Sequence, residues 1–147
     1  MEKEEDEKDR QTAIDNLYRH GMKVRREVVG DKYVDRSLQS SNEGSVSKPT
    51  QEYITAACWG GVWARENGIL TRKERSLMNL CMLTCLNRST ELSTHIKGAL
   101  NNGITEDQIA EVMLAVCVYA GAPAGMEGCR IAELAIKQWK EEKRESH

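Results

Sequence analysis

ITEDQIAEVMLAVCVYAGAP, from Ile104 to Pro123, carries a whole helix together with both of its ends. Ile109, Val112, Met113, Val116, Cys117 and Ala120 fall at i, i+3, i+4, i+7, i+8 and i+11, the recurrence of a single apolar helix face. Thr105 with Gln108 makes a capping box, in which hydroxyl and amide satisfy each other's otherwise unbonded backbone N–H groups. Gly121-Ala122-Pro123 stops the run. The spacing predicts a helix from Glu106 to about Ala120.

The same punctuation recurs outward from this stretch. Thr71 with Glu74 is a second capping box, heading a helix to about Leu86 with Leu77, Leu80, Cys81 and Thr84 on one face. Asn87 to Thr90 reads as a turn with cap residues, followed by a short helix from Glu91 to Leu100 that Asn101-Asn102-Gly103 ends. A last helix, about Ala124 to Glu141, is expected to bury Cys129, Ala132, Ala135, Ile136 and Trp139, with residues 142–147 a frayed tail. Toward the N-terminus, Pro49 suits a first helical turn, with Ser47 or Thr50 as cap, in a helix to about Ala64 that Asn67-Gly68 breaks. Ser37 to Lys48 is polar and reads as a loop. A first helix spans about Thr12 to Val29, carrying Ile14, Leu17, Tyr18, Met22 and Val24, interrupted by Gly21 and closed by Gly30. Residues 1–10 are a charge run, read as a frayed or disordered extension. The fold class is all-α: a compact bundle of about six helices with an N-terminal arm, one domain over residues 11–141.

Bulk composition narrows the function. A chain of 147 residues suits one core, and 30% charged against 39% apolar residues is ordinary for a soluble globular protein. A net charge of −2 gives no electrostatic reason to expect nucleic acid as a partner. No stretch approaches the roughly 18 apolar residues of a membrane span. MEKEEDEKDR lacks the apolar region of a signal peptide, so a cytoplasmic location is expected. The five cysteines (Cys58, Cys81, Cys85, Cys117 and Cys129) are odd in number, and most are expected to be small buried hydrophobes. No C-x-x-C or His pair sets up zinc spacing, so no metal site is predicted.

Five segments in order resemble one family: RHGMKVRREVVGDKYVDRS (Arg19–Ser37), CWGGVW (Cys58–Trp63), LTRKERSL (Leu70–Leu77), LNRSTELSTHIKGALNNGITEDQIAEV (Leu86–Val112) and YAGAPAG (Tyr119–Gly125). Together they resemble the carboxymuconolactone decarboxylase family, within the alkylhydroperoxidase D-like superfamily, over about residues 16–136. The resemblance implies an all-α fold, homotrimers or homohexamers, and active sites near subunit contacts. It also implies loss of CO₂ from 4-carboxymuconolactone with no metal or organic cofactor. The substrate's own conjugated system takes up the electrons, leaving the protein to stabilise a dienolate, hold carboxylates and deliver a proton to carbon.

Glu91 and His95 lie four apart on one helix, where their side chains can meet. A carboxylate there would raise the imidazole pKa and orient it as proton donor; alternatively His95 is a partly buried helix residue. The resemblance favours the catalytic role, because E-L-x-x-H is a family feature. His20 and His147 lie near the arm and in the tail. Trp59 and Trp63 share a face beside Cys58 and are either aromatic walls for a flat ring or core filling. Gly61 stands where many decarboxylases of the family carry an acidic residue, which points to a larger or different pocket and makes Cys58 a candidate thiol. Arg25, Arg26, Arg72, Arg75 and Arg88 fall in the family-like segments; Arg25 and Arg75 are the preferred carboxylate anchors.

The expected function is decarboxylation of a small unsaturated carboxylic acid or lactone. A decarboxylase, dehydratase or isomerase of a polyketide-like or aromatic metabolite is the near alternative, and a non-catalytic oligomeric binding protein a further one. A thiol peroxidase or disulfide reductase is disfavoured. The peroxidase branch resembles E-x₃-C-x₂-C-x₃-H, whereas here Cys81 and Cys85 are four apart, a spacing that suits buried packing better than a disulfide.

Overall fold

The computed structural model describes residues 2–42, 44, 46–66 and 68–145. Asn67, part of the predicted break, and His147, at the end of the tail, lie outside the described residues. The architecture is all-α: α1 (Glu2–Val29), α2 (Asp31–Asn42), α3 (Ser47–Ile54), a π-helical continuation (Thr55–Trp63), α4 (Arg72–Cys85), α5 (Ser89–Asn101), α6 (Glu106–Tyr119) and α7 (Ala122–Glu145). No strand occurs among the described residues, and no helix there is long and apolar enough to cross a membrane. Contacts cluster in two compact units, Met1–Ile69 and Leu70–His147.

In the first unit, α1 packs along the π-helical segment. Gly21 does not interrupt α1; it lets the two backbones touch. A Cβ there would collide with the Thr55 carbonyl oxygen, and one at Gly60 with the Leu17 carbonyl oxygen. Around this crossing Val24, Val28, Val29, Val34, Trp59 and Trp63 form a core. Of the stretch Ser37 to Lys48 expected to be a loop, Ser37 to Asn42 is instead the second half of α2, and Ser47 and Lys48 open α3. Tyr33, Val34, Leu38 and Ser41 make one inward stripe on α2, and the Ser41 hydroxyl donates to the Leu38 carbonyl at 2.8 Å. Packing of that stripe outweighs the weak helix preference of a Ser-rich stretch. Neither Ser47 nor Thr50 caps α3: Val46 is its N-cap and makes no side-chain cap bond, while Pro49 sits in the first turn as predicted. The helix of α1 also runs back to Glu2, ten residues before its expected start.

In the second unit both capping boxes form. The Glu74 and Gln108 backbone N–H groups donate to the Thr71 and Thr105 hydroxyls at 3.2 Å each, and the reciprocal bonds are 2.7 and 3.0 Å. Leu80, Leu92, Ile96, Ala99, Ile109, Met113, Ile131 and Ala135 are among the core residues. Gly103, at φ +84°, ends α5 where the Asn-Asn-Gly signal stood. The cysteines depart from expectation. All five are free thiols; Cys85 and Cys129 are exposed and Cys58, Cys81 and Cys117 half-buried. On α4 the buried positions beside the thiols are Leu80 and Thr84, and Cys81 and Cys85 sit one position further around the helix. Cys129 stands in the same relation to buried Gly128 on α7.

Candidate functional site

The second unit holds the proton-transfer candidates. On α5, Leu92, Ile96 and Ala99 face the core, which leaves His95 at the edge of the stripe and partly buried. Burial pushes its pKa from 6.5 down to about 4, because an imidazolium loses hydration there, while the Glu91 carboxylate one turn earlier works in the opposite direction. The expected upward influence of Glu91 is present, but desolvation outweighs it, so His95 is neutral at neutral pH. Arg75 is buried on α4, with its backbone N–H bonded to the Thr71 carbonyl at 3.0 Å. Arg88 is exposed and Arg72 half-buried.

The first unit holds the receptor candidates. Arg25 is 3% exposed near the end of α1. Its Nη1 donates to Thr55 Oγ1 at 3.0 Å, and its Nη2 donates to Ser37 Oγ at 3.0 Å and Gln51 Oε1 at 2.9 Å. Its Nε is buried without a hydrogen-bond partner. Burial lowers the Arg25 pKa, and the Tyr33 and Tyr18 phenols and the Cys58 thiol around it favour the charged form. The neighbouring Arg26 is otherwise engaged, bonded to Asp31 at 2.9 Å and Asp35 at 2.8 Å. Trp59 and Trp63 stack at 5.2 Å and 27° and are 4% and 5% exposed, so both belong to the unit's core.

The Cys58 and Cys81 thiols are not activated. Burial raises the Cys58 pKa against the pull of Arg25. Burial and then Cys85 raise that of Cys81. A nucleophilic cysteine needs the opposite shift. No group of three or more His, Cys, Asp or Glu side chains among the described residues is placed to hold a metal ion. His20 lies exposed on α1 with Nδ1 2.8 Å from the Asn16 carbonyl oxygen.

Sequence reading therefore picked out Arg25 but not the neutral oxygens around it. Ser37, Gln51 and Thr55 lie 12 to 30 residues away along the chain and meet Arg25 only through packing of α2, α3 and the π-helical segment onto α1. No local motif announces them.

In this all-α chain a buried arginine that pairs with no carboxylate among the described residues, and a partly buried neutral histidine, are groups suited to holding an acid and moving a proton. The carboxymuconolactone decarboxylase family profile matches residues 48–134, and the chain belongs to that family. It is similar to a 4-carboxymuconolactone decarboxylase from Acinetobacter baylyi, 38% identical over 82% of this chain and 87% of the relative. It is also similar to a nitrosuccinic acid decarboxylase from Metarhizium robertsii, 39% identical over 82% of this chain and 81% of the relative. The chain is a carboxy-lyase of this family.

Proposed function

We propose that the chain decarboxylates a small unsaturated carboxylic acid or lactone of the 4-carboxymuconolactone type, with His95 as general acid/base. The observation that carries this reading is the half-buried, neutral His95 one helical turn from Glu91. Loss of CO₂ breaks one C–C bond and leaves its electron pair in the substrate's conjugated system as a dienolate. One proton must then reach carbon. A buried imidazole stays neutral until the developing negative charge raises its proton affinity, then takes up one proton from bulk solvent and releases it to the dienolate carbon, so that one solvent proton is consumed for each CO₂ lost. Glu91 favours the transient imidazolium and orients the ring. Arg25 and Arg75 are assigned to substrate carboxylates, while Trp59 and Trp63, expected as ring walls, fill the core of their unit. Cys58 is assigned as a neutral thiol donor. The working form is proposed to be a homotrimer or homohexamer.

A second reading, a related decarboxylase for a different acid, is favoured by Gly61. A Cβ there would meet only the Ala56 carbonyl oxygen, at 3.8 Å, so the position has room that this chain leaves unfilled. The relatives also carry two different substrates in their names, at nearly equal identity.

The test is CO₂ release and ultraviolet loss of 4-carboxymuconolactone, generated in situ, with nitrosuccinate assayed in parallel. Wild type is expected to turn over one of them, and His95→Ala is expected to lose activity by at least 100-fold with helicity unchanged. Full activity in the variant overturns the role of His95. Turnover of nitrosuccinate alone selects the second reading.

A further inference from the structure

Arg25 is a buried cation whose hydrogen bonds all go to neutral groups: the Thr55 and Ser37 hydroxyls, the Gln51 carboxamide oxygen and the Tyr33 phenol. No carboxylate among the described residues pairs with it. Ser37 Oγ itself donates to Gln51 Oε1 at 3.1 Å, which fixes the amide with its oxygen toward the guanidinium. Neutral acceptors offset only part of the cost of a buried charge, so the site favours an incoming anion. Nε and Nη2 form the side-on edge of a guanidinium, the edge that takes a carboxylate through two parallel bonds. Here Nη2 is held by Ser37 and Gln51, while Nε has no acceptor. Gln51 also lines an open cleft of about 370 Å³ with Val46, Ser47 and Thr50. One side chain thus stands both at the cleft and on the guanidinium.

We propose that Gln51 is a displaceable neutral placeholder and a specificity-determining residue. A substrate carboxylate enters from the cleft, moves the Gln51 oxygen off Nη2, and binds Nε and Nη2 together. The inference rests on the reading that the chain acts on small carboxylic acids, and it adds which edge of Arg25 receives the acid and why residue 51 is uncharged. A glutamate at 51 would serve as a permanent internal counterion and shut the site. An apolar side chain of the same length would leave it open.

The test is calorimetric titration of the full chain with succinate, and with succinamide as its uncharged counterpart, for wild type, Gln51→Glu and Gln51→Met. Wild type is expected to bind succinate and not succinamide. Gln51→Glu is expected to bind succinate at least tenfold more weakly while melting at a higher temperature. Gln51→Met, whose folding is checked by circular dichroism, is expected to bind within threefold of wild type or tighter. A purely structural Gln51 predicts equal losses in both variants, and that result overturns the proposal. So does wild-type-like binding by Gln51→Glu, loss of more than tenfold in folded Gln51→Met, or a wild type that fails to distinguish succinate from succinamide. Because succinate reports binding without turnover, anion reception with no decarboxylation counts against the proposed activity alone. Decarboxylation undiminished in Gln51→Glu counts against this inference alone.

Discussion

At His95 two influences compete: burial disfavours the imidazolium and Glu91 favours it, and burial wins, holding the pKa at about 4 against 6.5 for the free side chain. Between these values the unfolded chain binds a proton that the folded chain refuses, so folding stability falls as pH drops from 6.5 toward 4 and is fully present above 6.5. The loss is on the order of 3 kcal/mol. His95→Asn removes this contribution, so the stability difference between wild type and variant in urea unfolding is expected to change steadily across that window. A difference that stays constant from pH 4 to 7 would show that His95 titrates like a solvated imidazole. E-L-x-x-H singles out His95 as a candidate, but its charge state is not legible there, because Glu91 is visible four residues away whereas desolvation depends on what packs around the ring. Arg25 shows the same divide. Its residue type suggests an anion anchor, and only the fold reveals that its partners are Ser37, Gln51 and Thr55 rather than a carboxylate.

At the scale of elements, the second unit was read closely because its helices carry their own start and stop signals. Thr71 and Thr105 cap α4 and α6 through side chains three residues apart, a contact that needs no tertiary context. The first unit was read less well. Its Ser-rich α2 is helical because Tyr33, Val34 and Leu38 find a core, and Gly21 looks like a break until its crossing partner Gly60 is known. That crossing separates two adjacent glycines. A Cβ at Gly60 would strike the α1 backbone at Leu17, whereas one at Gly61 makes an ordinary contact. Gly60→Ala is therefore expected to destabilise by about 1–3 kcal/mol. Gly61→Ala is expected to be neutral or to stabilise by up to about 1 kcal/mol, since alanine restricts the unfolded chain more than glycine does. Thermal melts of the two variants check this, and equal midpoints would mean that α1 and the π-helical segment do not meet through backbone at that point.

For the molecule as a whole, the proposed oligomer finds support in apolar surface that the second unit leaves in water. On α6, Leu114, Val118 and Tyr119 lie at i, i+4 and i+5 and are 59%, 77% and 91% exposed, and Met126 near the start of α7 is also exposed. Scattered exposed hydrophobes are ordinary, but neighbours along one helix face form a patch of the kind that marks an interaction surface. The helix period of α6 already announces Ile109, Met113 and Val116 as the core face, yet its opposite side carries valine and tyrosine where a solvated helix would carry charge. A second copy of the chain covering this face would remove that surface from water, at roughly 25 cal/mol for each Å² of apolar area buried. Light scattering at micromolar concentration is expected to give at least three times the 16.6 kDa of the single chain. The double variant Val118→Lys with Tyr119→Lys is expected to shift that mass toward the monomer while far-ultraviolet circular dichroism stays unchanged, because neither side chain contributes to the core of its own unit. A wild type of single-chain mass would overturn the oligomer, and an assembled double variant would move the interface away from α6.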